Sequence, residues 1–361
     1  MLTHMVTMNK QHAISWWFCL GMIAIAAGML MQHLRLPGGY LIGPLLVAIV
    51  AGLIRPDHPA LATRILLAAQ AVIGMLLATG IQPGIISGIA AYWMPVLLMV
   101  CITLGISFIA GIVLARITPL SRETATLGTL PGGATTMIAI SMSAKADTRM
   151  VALMQYIRLV LTVVSAAVLA RFIPHTINTT VHSALNLSSH PILLDLWISY
   201  LVTALITLAG AWLGRSIHLP AAALLGPLLA GIAIRATGLF TLSWPPGVAK
   251  AAYIIVGMYV GLLFDRASLL QAGRLIPVMI INTLVLMATC AVTGKMLSVM
   301  TGSSYLTGYL ATTPGGMDSI AVIAMASGAD ITLILTTQML RLLSIIIMGP
   351  ILARYVLGKN S

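Results

Sequence analysis

Long apolar segments follow one another along almost the whole chain, and they constrain its fold more than any other feature. Most of them contain 18 to 27 residues. At a rise of about 1.5 Å per residue, a helix of this length crosses the roughly 30 Å hydrocarbon core of a bilayer. The twelve segments cover residues 13–33, 36–54, 61–81, 92–116, 124–143, 150–172, 191–214, 219–236, 247–263, 275–297, 304–327 and 331–357. This succession predicts an all-α integral membrane protein with 10–12 transmembrane helices.

Composition supports this class and excludes others. Hydrophobic residues make up 60% of the chain and charged residues 7%, against about 25% charged residues in soluble domains. The formal net charge is +12, but the basic residues are scattered singly between apolar runs, which favours the positive-inside rule over nucleic-acid binding. The three cysteines lie in apolar runs without metal or disulfide spacing. We therefore expect membrane lipids as partners, and no direct nucleic acid, metal or cofactor.

The two halves of the chain repeat each other at a constant offset of 183 residues (314 − 131 and 341 − 158). The matched features are listed here: Leu36-Pro37 with Leu219-Pro220, Gly43-Pro44 with Gly226-Pro227, Gly74-Met75 with Gly257-Met258, Asp147 with Asp330, and Ala170-Arg171 with Ala353-Arg354. One register held along the chain indicates an internal duplication, which many transporter folds contain. We predict a first repeat over 1–173, a polar linker over 174–190 and a second repeat over 191–361.

A proline–glycine motif lies inside the fifth segment of each half, as Pro131-Gly132-Gly133 and as Pro314-Gly315-Gly316. Proline removes a backbone donor, and glycine loses the most entropy in a helix, so each motif predicts a broken helix. Freed backbone groups at membrane depth need protein or water partners, and such breaks usually line a cavity. The alternative is a kink filled by a neighbouring helix.

The fifth segment of each half can either cross the membrane or be re-entrant, and each possibility gives a different topology. If it crosses the membrane fully, each half has six spans and the halves are parallel. If it is re-entrant, each half has five crossings and the halves are inverted, which short Gly/Pro-interrupted segments at matching positions favour. The distribution of Lys and Arg places the N-terminus in the cytoplasm in both topologies.

Arg158 and Arg341 lie about ten residues into the last segment of their halves, with Gln155 and Gln338 three residues earlier on the same helical face. A central arginine costs about 2.5–3.5 kcal/mol on insertion scales, so each should face the protein interior with partners. One hypothesis is that the arginines cap carbonyl groups of the broken helices. The other is that they bind an anionic group or balance a carboxylate that titrates.

Asp318 is the best candidate for that carboxylate, because it follows the second proline–glycine motif inside an apolar segment. Its counterpart in the first half is Thr135, so the duplication is asymmetric at this acid. We predict that Asp318 pairs with Arg341; the alternative is that it only accepts hydrogen bonds at its helix N-terminus. Asp147 and Asp330 precede the next segments and are predicted to be N-caps.

The chain resembles the AbrB family of bacterial inner-membrane proteins. The resemblance covers both halves and is most specific over residues 313–324 and 152–158. Family labels include "regulator of gene expression" and "ammonia monooxygenase". The first implies an indirect influence on transcription, since the small soluble DNA-binding regulator of the same name has an unrelated fold. The second implies clustered His and carboxylate ligands for copper or iron, which this sequence lacks.

These observations together predict a multi-pass inner-membrane protein, not an enzyme, that moves a small solute or ion through a cavity between the repeats. The alternative is a membrane-embedded ligand sensor that affects gene expression through a partner. A homodimer is compatible with either function. The predicted substrate-binding residues are Thr129, Pro131, Gly132, Gly133, Gln155, Arg158, Thr313, Pro314, Gly315, Gly316, Asp318, Ser319, Gln338 and Arg341. Asp318 is also the predicted residue for the coupling ion.

Overall fold

The computed structural model describes residues 10–55, 59, 61–80, 85–132, 134–143, 146–173, 193–219, 221–237, 240–245, 247–264 and 266–356. Within these ranges the chain forms helices and no strand. The helices of the first half are α1 (Lys10–His33), α2 (Gly39–Ile54), α3 (Thr63–Gly80), α4 (Ile85–Ile117), α5 (Arg122–Thr129), α6 (Ala134–Ser143) and α7 (Thr148–Phe172). Those of the second half are α8 (Leu193–Ser216), α9 (Ala222–Thr237), α10 (Val248–Gly261), α11 (Arg266–Ala272), α12 (Ile276–Thr301), α13 (Tyr305–Thr312), α14 (Met317–Ser327) and α15 (Ile331–Val356). A 3₁₀ turn, Gly273–Leu275, joins α11 to α12.

Several helices begin at the same kind of cap in both halves. Ser121 accepts a hydrogen bond from the backbone N–H of Thr124 at the start of α5, and Ser304 accepts one from Thr307 at the start of α13. Asp147 and Asp330 cap α7 and α15 by accepting bonds from backbone N–H groups two and three residues later. The predicted capping role of both aspartates is confirmed, because a short carboxylate satisfies donors that a helix start leaves open.

The helices form two groups. The outer group contains α1, α2, α3, α8, α9 and α10, in which α2 packs on α10 and α3 packs on α9. Each of these contacts joins one half of the chain to the other. They depend on close backbone approach: a Cβ on Gly74 would collide with the carbonyl oxygen of Leu224, and one on Gly257 would collide with that of Leu41. Replacing either glycine would therefore force the two halves apart.

The inner group contains α4 to α7 and α11 to α15. Helix α4 packs on α5 and on α12, and α12 packs on α13. Helix α7 contacts α5 and α6 of its own half and also α14 of the other half. The outer and inner groups meet where α14 packs against α3 and α10, and α11 also contacts α2. Helix α14 therefore lies at the boundary between the two groups.

Five helical stretches of the described chain are long and apolar enough to cross a membrane: Ser15–His33, Trp93–Ile117, Thr148–Phe172, Leu196–Ser216 and Arg266–Thr301. Six further apolar helices are shorter, at 10–17 residues. Exposed large side chains on α8, such as Trp197, Leu208 and Trp212, leave an apolar surface of the kind that lipid covers. The architecture is helical and membrane-like.

Candidate functional site

Two short segments with proline interrupt the helices of the inner group. The first proline segment is Leu130–Gly132, between α5 and α6; the second is Thr313–Gly316, between α13 and α14. Leu130 and Thr313 have almost the same extended backbone, with φ −63° and ψ 132° or 133°. Each precedes a proline, whose ring disfavours the helical region for the residue before it. Helices α5 and α13 therefore end at these positions. The predicted site residue Gly133 lies outside the described residues.

Gln155 and Arg158 of α7 bind the carbonyl groups that the end of α5 leaves open. The Gln155 side-chain amide donates to the carbonyl oxygens of Leu127, Gly128 and Leu130 at 2.9, 3.2 and 3.0 Å. Arg158 Nη1 donates to the carbonyl oxygens of Thr129 and Leu130 at 2.9 and 3.1 Å. Its Nη2 donates to Gln155 Oε1. The amide and the guanidinium thus act as one unit at the first proline segment.

The second half contains the same arrangement on α15. The Gln338 amide donates to the carbonyl oxygens of Leu310 and Thr313 at 3.0 and 3.1 Å. Arg341 Nη1 donates to those of Thr312 and Thr313 at 3.2 and 2.9 Å, and its Nη2 donates to Gln338 Oε1. We call each Gln–Arg pair with its bound carbonyl oxygens a carbonyl clamp. A cation here is also favoured by the partial negative charge at a helix C-terminus.

The predicted pairing of Asp318 with Arg341 is wrong. Both residues belong to the described part of the chain, and the Nη atoms of Arg341 bind carbonyl oxygens and Gln338 instead. The Asp318 carboxylate accepts a bond from Gln70. The C-terminus of α13 leaves carbonyl oxygens without helical partners, and the buried cation of Arg341 binds these oxygens instead. The capping hypothesis for the arginines, which are each 5% exposed, is the one that fits this geometry.

Each proline segment also packs against the last long helix of the opposite half. A Cβ on Gly315 would lie 2.9 Å from Thr162 Cγ2 of α7, and one on Gly316 would lie 3.3 Å from Leu159 Cδ1. A Cβ on Gly132 would lie 2.7 Å from Ile345 Cγ2 of α15. Helix α7 therefore clamps the first segment and touches the second. The first segment is buried, whereas the second is buried at Thr313-Pro314 and half-buried at Gly315-Gly316.

Asp318 lies in the first turn of α14 and is half-buried. Its Oδ2 accepts a hydrogen bond of 2.6 Å from Gln70 Nε2 of α3. This bond joins the inner group to the outer group. Ser319, the next residue, is buried. Sequence reasoning missed Gln70, although a glutamine in the middle of an apolar helix was an available signal.

Three further polar residues near the site were not predicted. Thr162 is fully buried and its hydroxyl has no hydrogen-bond partner among the described residues. The hydroxyls of Ser165 and Tyr309 share a hydrogen bond of 3.0 Å between α7 and α13. Thr129, which was predicted, donates its hydroxyl to the carbonyl oxygen of Ala125. Within the described residues, no group of three His, Cys, Asp or Glu side chains could hold a metal ion.

The fold and the site define the class of an all-helical, membrane-like protein with arginine-clamped helix ends in its interior. The family described as "Transition state regulatory protein AbrB" matches residues 40–357. The chain therefore belongs to the AbrB family.

Two relatives extend over nearly the whole chain. A protein of Escherichia coli (strain K12) named "Putative regulator AbrB" is 35% identical over 338 residues, which cover 94% of this chain and 95% of the relative. A protein of Bacillus subtilis (strain 168) named "Uncharacterized protein YhjN" is 26% identical over 352 residues, or 92% and 91% of the two chains. The residues matched by the family, 40–357, span both proline segments.

Proposed function

We propose that this protein is an inner-membrane transporter that moves a small solute or ion past the two proline segments. The observation that carries the proposal is that both interrupted helices belong to the inner group and that each proline segment packs on the last long helix of the opposite half. Interrupted helices at membrane depth expose backbone groups that a solute can bind. The second segment would supply most of the polar contacts, and Asp318 would couple transport to a proton or cation.

The proposal includes the internal duplication. Matched helices such as α5 and α13, matched caps and matched carbonyl clamps all recur at the same offset, which supports two repeats over 1–173 and 191–361. We further propose that the repeats are inverted and that the shorter apolar helices complete the five crossings of each half, with a cytoplasmic N-terminus. Whether two copies associate stays a prediction.

Cysteines at two matched positions test the inversion. Ser121 and Ser304 are both exposed and both cap the helix before a proline segment. In a variant without native cysteines, Ser121→Cys and Ser304→Cys should react with a membrane-impermeant thiol reagent from opposite faces. Labelling of both from one face would instead show parallel halves.

Transport itself is tested in proteoliposomes that contain a pH-sensitive dye, with solutes chosen by a thermal-shift screen of the purified protein. Asp318→Asn keeps the shape of the side chain and an acceptor for Gln70 but removes the charge, so solute-driven proton movement should fall to background. The matched control is Asp330→Asn, because asparagine replaces aspartate well as an N-cap. Coupled transport by Asp318→Asn at the wild-type rate would contradict the coupling role.

The alternative function is a membrane-embedded sensor, and the name of the Escherichia coli relative favours it. A sensor would bind a ligand at the same segments and signal through a partner without moving the ligand across. Proteoliposomes separate the two: ligand-dependent stabilisation without uptake, for every solute that stabilises the protein, would support the sensor. Neither function requires catalysis or a cofactor.

A further inference from the structure

One buried face of α7 carries two hydrogen-bonding atoms that have no partner among the described residues. They are Nε of Arg158 and the hydroxyl oxygen of Thr162, one helical turn later. Arg158 is 5% exposed and Thr162 is fully buried. A buried donor without a partner loses about 1–3 kcal/mol of desolvation free energy, and more when it is charged. Two such atoms on one face therefore indicate a missing partner.

The charge around these atoms defines what that partner would be. Arg158 and Arg341 are both buried guanidinium groups of the inner group. Both guanidinium groups bind neutral carbonyl oxygens and glutamine oxygens, and no ion pair to a carboxylate is formed by either within the described chain. Buried charges in proteins are usually paired. The interior thus has an excess of positive charge beside an unused N–H and O–H donor.

The second proline segment lies beside the Thr162 side chain. Thr162 packs against Gly315, two residues before α14 begins at Met317. The N-cap of α14 is Gly316, which provides no side chain to bind the first N–H groups of this 11-residue helix. Helix N-termini attract anions through their free N–H groups and partial positive charge. The Asp318 carboxylate already lies in the first turn of α14, so an added anion at this place would bind chiefly the donors of α7.

We propose that a small carboxylate-type anion binds between Arg158 Nε, the Thr162 hydroxyl and the second proline segment. The inference rests on the proposed transport function only in that the anion would be the transported solute; binding itself does not require transport. The first proline segment lacks such a site, because Ile345 stands at the position that Thr162 occupies at the second.

The test measures thermal unfolding of the purified full-length protein in sodium acetate against sodium gluconate at equal concentration. Acetate is a compact carboxylate, and gluconate is a bulky carboxylate that serves as the reference for ionic strength. Acetate should raise the melting temperature of the wild-type protein in a saturable way, because a ligand of the folded state stabilises it by mass action. Equal melting temperatures in both salts at all concentrations would overturn the proposal and leave a buried water or an empty gap.

Thr162→Val supplies the decisive variant, because it keeps the shape and removes only the hydroxyl. Loss of one hydrogen bond to a charged group should raise the half-saturating acetate concentration about tenfold. Thr162→Ser should retain the wild-type value. Thr337→Val is the matched control: Thr337 is also buried, but its hydroxyl donates to the carbonyl oxygen of Leu333 on α15. An unchanged acetate response in Thr162→Val would contradict the site.

The same measurements separate this inference from the transport proposal. Acetate stabilisation that Thr162→Val weakens, without uptake of acetate or any other stabilising solute by proteoliposomes, would support the anion site and refute transport. Proton-coupled uptake of some solute without any acetate-dependent stabilisation would refute the anion site and support transport.

Discussion

The two proline segments have the same backbone and the same clamp but different neighbours. Leu130 and Thr313 share their φ and ψ angles, and each is bound by one glutamine and one arginine. The first segment faces the apolar side chains of Ile345 and Met137. The second faces Thr162 as well as the apolar Ile320 and Leu159. The first turn of the helix that follows it carries Asp318, which is bound to Gln70. The comparison indicates that the carbonyl clamp is duplicated, whereas the polar side chains beside each proline segment differ between the two copies.

The largest expected loss of stability follows from breaking the carbonyl clamps, which both proline segments share. Arg158→Met and Arg341→Met should each destabilise the protein by about 3 kcal/mol, because buried carbonyl oxygens lose a charged donor. The two losses should be similar, since the clamps are alike. Denaturant titration in detergent micelles measures both. Lys295→Met is the control, as Lys295 is exposed on α12 and should change stability by about 0.5 kcal/mol or less. A large difference in stability between the two arginine variants would contradict the claim that the two clamps are equivalent.

The next effect concerns the close packing of each segment on the opposite half. Gly132→Ala and Gly315→Ala should each cost about 1–3 kcal/mol, because the added methyl group meets Ile345 in one case and Ile320 and Thr162 in the other. Gly105→Ala in α4 is the matched control. No heavy atom lies within 4 Å of a Cβ placed there, so alanine should stabilise that helix by up to about 1 kcal/mol. Unfolding free energies of the alanine variants at or above wild type would show that the segments do not need glycine.

The smallest expected changes in the free energy of unfolding differ in sign between two matched positions. Tyr309→Phe removes a hydrogen bond to Ser165 and should cost about 1 kcal/mol. Thr126, at the corresponding position of α5, has a buried hydroxyl without a partner among the described residues. Thr126→Val should therefore be neutral or stabilise the protein by about 1 kcal/mol. Equal destabilisation by both substitutions would contradict the asymmetry between the segments.

The features that follow local rules were predictable from the sequence. A residue before proline avoids the helical region, and a short carboxylate caps the next helix, so the ends at Thr129 and Thr312 and the caps at Asp147 and Asp330 require only neighbouring residues. The glutamine and arginine on one helical face likewise predict a shared partner. The sequence left that partner open between carbonyl groups of the broken helices and an anionic group, and the structure places carbonyl oxygens there.

The remaining features depend on contacts between distant parts of the chain. Gln70 and Asp318 are 248 residues apart in sequence, and nothing local to either residue predicts the other. The predicted ion pair failed for the same reason, since closeness in sequence between Asp318 and Arg341 did not determine which groups meet. Thr162 looked like an ordinary helix residue until its place beside Gly315 was known.

The most direct test of the central claim is the accessibility of the second proline segment from both sides of the membrane. In a variant without native cysteines, Gly316→Cys places a thiol on a half-buried residue next to Leu159. A transporter should let a membrane-impermeant thiol reagent reach this thiol in both right-side-out and inverted vesicles, whereas Ser121→Cys should react in only one of them. Labelling of Gly316→Cys from a single face, whatever solute is present, would contradict transport through this site.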